Sequence, residues 1–436
     1  MTLGDYAMNV MNPRLQADDV TLTHPASPKA VKGVFEYTSK KKGSPQAAQF
    51  PRFMSWQNNV TLPDLGKDVK YKGGFALSGA RIVGASASGK PAEITVMDGT
   101  KPSFRVWSNR FEFSEVTDKG TAPDSSFTGG LLPGESLGGT SGRTASLITA
   151  ASVQFSGYID ADSITHPNVQ FRYDKNARVA WLNRQEKSSY ARVPFTDTYH
   201  KFYIQPEVMR WDVSRRKVDF YQVGAKREVP VRMESFDYFV PERYSNISVD
   251  YGFHPLQIAA NYISKNKTQT FLADDLAQFA RLNPTTLAGA LDRMVINGYL
   301  TKDPNTGFMR LSQKGILYIL AYNKQKDYDN FQIQSQFVSN DSVKNATINL
   351  NDKFLLVRGV RTFTISDSLK IYGVPTDKIL KIGKGRAFTL NGQLKSGNFR
   401  YAGRNMAFDY DKFAMNLNKI DSITFTPQKL AAQGKT

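Results

Sequence analysis

The stretch His254-Pro-Leu-Gln-Ile-Ala-Ala-Asn-Tyr-Ile263, continued by Leu282-Asn-Pro-Thr-Thr-Leu-Ala-Gly-Ala-Leu-Asp-Arg-Met-Val-Ile-Asn-Gly-Tyr-Leu300, decides the reading of this chain. It carries helical spacing, while the sequence on both sides alternates as strands do. Leu256, Ala259, Ala260 and Ile263 recur on one helical face after Pro255, and proline suits a first turn because its missing N–H would be unpaired there. Leu272 to Ala280 predicts a second helix with Leu276 and Phe279 inward. Asn283-Pro284 ends it and starts a third over Pro284–Ile296, with Leu287, Leu291, Met294 and Val295 on one side. Asn297-Gly298 closes that helix, since both residues tolerate the left-handed conformation. Tyr299 to Lys302, a turn at 303–307 and Phe308 to Leu311 read as a hairpin, and Gln313 to Tyr322 as a last helix. The expected core joins Leu276, Leu287, Leu291, Val295, Phe308 and Ile316.

Three helices followed by a hairpin resemble the winged helix, and Leu282 to Leu300 resembles its third helix and first wing strand. That fold implies little about function by itself. A helix that reads DNA needs Arg, Lys, Asn or Gln toward the groove. The outward positions here are Thr285, Thr286, Ala288, Gly289, Asp292 and Arg293, of which one is basic. A nucleic-acid reader would have to work with Thr285, Thr286, Arg293, Lys302 and Arg310. A small packing module borrowed from that fold is the simpler expectation.

The chain has 436 residues, enough for two or three domains. Lys and Arg number 57 against 39 Asp and Glu, a formal charge of +18. This excess fits an anionic partner, or basic solvent faces that keep long sheets soluble. There is no cysteine, which excludes disulfides, thiolate metal sites and a cysteine nucleophile. No apolar run is long enough for a membrane helix, and Met1 to Gln16 lacks the pattern of a secretion signal. The expectation is a chain soluble as given, or a piece of a longer exported protein; it is not an integral membrane protein as given.

Residues 1–68 read as an extended lead-in with one strand near Val31 to Tyr37. Residues 69–253 read as a strand module, with alternation at Phe75-Ala-Leu-Ser-Gly79, Ile94-Thr-Val96, Phe104-Arg-Val-Trp107 and Val153-Gln-Phe-Ser-Gly157. Between 117 and 144 glycines mark a mobile loop, which lacks the lysine of a phosphate-binding loop. The insert occupies 254–325, and 326–436 forms a C-terminal strand module. The pattern apolar-x-apolar-x-Gly recurs at Gly79, Gly157 and Gly392. The fold class expected is therefore mainly β: stacked antiparallel strand modules, solenoid-like or an open curved sheet, with a small inserted α+β domain.

A catalytic constellation is not legible. The four histidines, His24, His166, His200 and His254, lack the i, i+4 spacing of helix-borne metal ligands, and no Gly-x-Ser-x-Gly elbow occurs. The pairs Asp160/Asp162, Asp274/Asp275, Asp327/Asp329 and Asp409/Asp411 read as turns or caps before they read as cation sites. The expectation is no enzyme, no cofactor and no metal. Basic residues between aromatics, as in Phe399-Arg-Tyr401, suit base stacking on a sheet, or simple core alternation.

The run Ala387-Phe-Thr-Leu-Asn-Gly-Gln-Leu-Lys-Ser-Gly-Asn-Phe-Arg-Tyr-Ala-Gly403, with Phe408-Asp-Tyr-Asp-Lys-Phe413, resembles the C-terminal part of very large exported β-repeat proteins of Bacteroidota that lack an assigned function. Those proteins have a similar order of strand repeats, a helical insert preceded by a His-Pro-Leu segment, and further strand repeats. The resemblance implies a protein of the cell envelope, periplasmic or outer-membrane associated; with strand repeats on both sides of one helical unit and no catalytic constellation, the expectation is a non-enzymatic scaffold or binding protein, with lipid, glycan or protein as partner. The rival expectation is a cytoplasmic nucleic-acid-binding protein that uses the insert.

Overall fold

The computed structural model describes residues 2–3, 6–9, 14–27, 29–38, 51–62, 65–66, 68–79, 81–114, 146–185, 190–223, 230–303, 306–340 and 342–427. The chain is mainly β, 49% strand against 15% helix, with antiparallel ladders. It divides into two compact units, one of residues 1–183 with 210–217, the other of 184–209 with 218–436. The Gly-rich loop expected at 117–144 lies outside the described residues.

The first unit is built from paired strands that start within the expected lead-in: Arg14–Leu22 pairs with Val31–Thr38, and that strand with Arg52–Ser55. Its centre is the ladder β1 (Ala92–Asp98), β2 (Lys101–Ser108), β3 (Leu147–Ile159) and β4 (Asp162–Asp174), each antiparallel to the next. Period-two alternation turns Phe104, Phe155 and Phe171 inward, where they meet Trp211 and Tyr173. Trp211 is fully buried, and its indole N–H donates to Ser103 Oγ at 3.0 Å. The ring lies over Gly157, where a Cβ would sit 2.2 Å from it.

The second unit carries a longer ladder. Strand β5 (Phe202–Gln205) pairs with β6 (Val231–Ser235), and β6 with β9 (Gln332–Ser335). The series then runs through β10 (Phe363–Ser366), β11 (Ile371–Pro375), β12 (Phe388–Ser396), β13 (Phe399–Asp409) and β14 (Lys419–Phe425). The helical unit is thus inserted between two strands, β6 and β9, that are direct neighbours. Since both already have partners on either side, the insert covers no open edge of theirs.

Between β6 and β9 come α1 (Pro241–Ser245), α2 (Pro255–Asn266), α3 (Ala273–Ala280), α4 (Pro284–Ile296), the hairpin β7 (Leu300–Lys302) and β8 (Met309–Leu311), and α5 (Gln313–Tyr322). Helix α2 starts on a His254 side chain that accepts from Gln257 N, and α4 on Asn283, whose Oδ1 accepts from Thr286 N at 3.1 Å. Leu276, Leu287, Leu291 and Val295 converge with Leu256, Met294, Leu317 and Tyr318. Phe308 and Ile316 do not join them, being 44% and 46% exposed. Strand alternation gives the inward place to Met309 instead, and the helical turn of α5 turns Leu317, Tyr318 and Ala321 inward. The short α1 was not legible beforehand.

Candidate functional site

One polar cluster holds the helical unit to the sheet, and a second ties together the chain segments on either side of it. In the first, Arg243 of α1 reaches Glu234 of β6 with Nη1 and Nη2, each at 3.1 Å, and Nη1 also donates to Tyr318 Oη at 3.2 Å. Gln332 of β9 donates to the same carboxylate at 3.0 Å. Burial works against the charged form of Glu234, but Lys314 and Arg243 outweigh it and hold its pKa below the usual range. Lys314 is itself buried, its ammonium donating to Asn297 O at 3.1 Å, and burial pushes its pKa down to about 8.

The second cluster closes the neck of the insertion. Arg386 donates to Asp237 Oδ2 at 2.6 Å and to Ser235 Oγ at 3.0 Å, with its guanidinium over the Tyr410 ring. Asp329 Oδ2 accepts from Ser235 Oγ at 2.7 Å and from the Tyr410 hydroxyl. Burial raises the Asp329 pKa against these hydrogen bonds. The printed contacts of both clusters run to other parts of the protein, with Arg386 Nε buried and without a hydrogen-bond partner, so their role is to fasten elements together.

A basic face of the C-terminal sheet differs from both clusters. The dipeptide Gly397-Asn398 joins β12 to β13 so that Ser396 faces Phe399 and Lys395 faces Arg400. Lys395 pairs in turn with Tyr372 of β11, and Gln393 with Val374. Directly paired residues share a face, and so do residues two apart along a strand. Tyr372, Val374, Gln393, Lys395 and Arg400 therefore stand together, and they line a depression of 210 Å³. Lys395 and Arg400 have no ion-pair partner among the described residues. Like charges directly across a ladder repel each other, so this pair is held at a cost.

Phe399-Arg-Tyr401 places aromatics on either side of a cation in sequence, but alternation sends Phe399 and Tyr401 to the face opposite Arg400. The aromatic that accompanies Arg400 is Tyr372, from another strand. The missed signal was Ser396-Gly-Asn-Phe399: a two-residue hairpin there places Lys395 opposite Arg400.

The residues expected for nucleic-acid reading are scattered and largely occupied. Thr285 and Thr286 are exposed at the start of α4, where Thr286 donates to its cap. Arg293 binds Asp250 at 2.9 Å and Lys302 binds Asp292 at 2.9 Å. Arg310 is exposed and donates to Thr301 Oγ1 at 3.1 Å. The histidines serve local structure: His24 and His166 accept from backbone N–H groups two residues on, His254 caps α2 and stacks on Tyr244. His200 sits buried between Asp197 Oδ2 at 2.6 Å and Lys353 O at 2.9 Å. Of the acidic pairs, Asp274 and Asp275 lie in the first turn of α3, and Asp409 holds Lys412 at 3.1 Å. No group of three or more acidic or histidine side chains that could hold a metal occurs among the described residues.

No family model matches the chain, and neither curated proteins nor solved structures give a match.

Proposed function

We propose that this chain is a non-enzymatic, β-rich scaffold or binding protein of the bacterial cell envelope, whose helical unit is a winged-helix-like packing module. The observation that carries the packing role is the state of its cations. Arg293 and Lys302, two of the three basic residues a reader would use, are each neutralised by a carboxylate at 2.9 Å. A helix that reads a groove turns such side chains to phosphate and base edges instead. The polar cluster of Arg243, Tyr318, Glu234 and Gln332, which fastens the unit to β6 and β9, supports the same role. The envelope setting rests on the C-terminal resemblance.

The test is duplex DNA binding by fluorescence anisotropy, between about 50 and 200 mM salt, where phosphate-driven affinity falls steeply. Wild type and a triple Arg293→Ala, Lys302→Ala, Arg310→Ala variant should show the same weak, non-specific response. A marked loss of affinity in the variant alone overturns the packing reading in favour of a reader.

A further inference from the structure

We infer that the depression lined by Tyr372, Val374, Gln393, Lys395 and Arg400 is a subsite for an acidic saccharide, a sugar ring that carries a carboxylate. The inference rests on the binding-protein reading above and names the class of ligand.

Charge comes first. Lys395 and Arg400 oppose each other across β12 and β13, and among the described residues no carboxylate pairs with either. Two other exposed cations of the C-terminal sheet have a carboxylate beside them, Arg404 with Asp421 at 3.0 Å and Lys412 with Asp409 at 3.1 Å. An anion placed between the two cations turns their repulsion into a charge-assisted pair of contacts, with the guanidinium offering a fork that suits a carboxylate.

The rest of the lining says what else the ligand carries. A bare inorganic anion is satisfied by two cations and has no use for Tyr372 and Val374. Their apolar surface matches the C–H face of a sugar ring, and Val374 is 43% exposed on the sheet among the described residues. Gln393 supplies an amide that donates and accepts at once, as ring hydroxyls require. At 210 Å³ the depression is below the roughly 300–1,000 Å³ of pockets that enclose a small molecule. It grips one ring of a longer chain, which then runs on across the open sheet face. A nucleic acid would call for successive stacking platforms, and this face offers one aromatic.

The experiment titrates the full chain with oligogalacturonate by calorimetry, beside a neutral maltooligosaccharide of equal length, inorganic phosphate and a single-stranded oligonucleotide. Oligogalacturonate should bind, the neutral sugar and phosphate at least tenfold more weakly. The double variant Lys395→Gln, Arg400→Gln should lose tenfold or more. Tyr372→Ala, which keeps both cations, should lose several-fold. Circular dichroism must show unchanged strand content in both variants, and Arg404→Gln, a cation outside the depression, should bind as wild type does. No binding of oligogalacturonate, equal binding of phosphate, tighter binding of the oligonucleotide, or affinity unmoved in the double variant each overturns the inference. None of these outcomes touches Arg293, Lys302 or Arg310, so failure here is separate from failure of the packing reading.

Discussion

Arg243 and Glu234 form a two-pronged ion pair, both prongs at 3.1 Å, between the first helix of the insert and the strand that leads into it. Glu234 is buried, and its other neighbours, Gln332 and Lys314, are arranged around that pair. Removing one partner of a buried pair leaves an uncompensated charge and costs about 3–5 kcal/mol, while replacing both by apolar groups is often neutral. Lys314 stays beside Glu234, so Arg243→Leu should destabilise the helical unit by no more than that amount, and Arg243→Leu with Glu234→Leu and Lys314→Met, which removes all three charges, should recover most of it. Urea unfolding followed at 222 nm reads the unit directly, because all five α-helices among the described residues lie in it. No loss in the single variant shows the pair to be dispensable, and equal loss in the single and triple variants assigns the cost to something other than stranded charge.

Leu291 is fully buried on α4 among Leu276, Leu287 and Val295. Leu291→Ala should cost about 2–5 kcal/mol by lost transfer and the cavity left behind. Ile316→Ala, on the exposed side of α5, should change stability by less than about 0.5 kcal/mol. The same unfolding measurement separates them, and similar losses at the two positions contradict the packing of α5 described above.

Lys314 gives the helical unit a dependence on pH. Burial places its folded pKa at about 8, against 10.5 for the exposed side chain. Between those values the unfolded chain holds the extra proton, so stability rises with pH; below 8 the penalty for the buried charge is fully present. The gain is at most about 3 kcal/mol across the window. Tyr299 and Tyr318, whose burial raises their pKa values, act in the opposite sense once unfolded phenols ionise near pH 10. Unfolding at pH 7.5 and 9.5 should show the rise in wild type and its absence in Lys314→Met. A wild-type stability that does not change over that range contradicts a buried ammonium at Lys314, and a rise kept in Lys314→Met assigns it to another group.

The helical unit was legible because local signals agreed there. Pro255, Pro284 and Asn297-Gly298 mark helix ends by backbone chemistry alone, and α4 and α5 have the ranges their spacing predicts. The recurring apolar-x-apolar-x-Gly was less informative, because glycine answers different needs at its occurrences. Gly157 leaves room for the Trp211 ring, whereas Gly392 has φ +152° and its missing Cβ would strike Val374 O. Both depend on partners from other strands, which no local pattern records. The basic depression was hidden for the same reason: Tyr372 and Arg400 meet only through the β11–β12–β13 register.

The insertion of the helical unit between adjacent strands predicts that the sheet does not need it. Ladder pairing puts Val231 opposite Ser335 and Glu234 opposite Gln332, and the neck is closed by Arg386 and Asp237 from outside the helices. Replacing residues 240–328 by a short Gly/Ser bridge removes Arg243, Lys314 and Tyr318 together. Glu234 then loses its partner but gains water, so the penalty that makes Arg243→Leu costly does not arise. Since β6 and β9 keep β5 and β10 on their outer sides, no new strand edge is opened to pair with another chain. The shortened protein should be monomeric by light scattering, keep its strand signal in circular dichroism, and melt within about 5 °C of the full chain, since roughly 1 kcal/mol shifts a domain's midpoint by a few degrees. Aggregation or a lost strand signal means that the helices guard the sheet after all, by covering its face where they cover no edge.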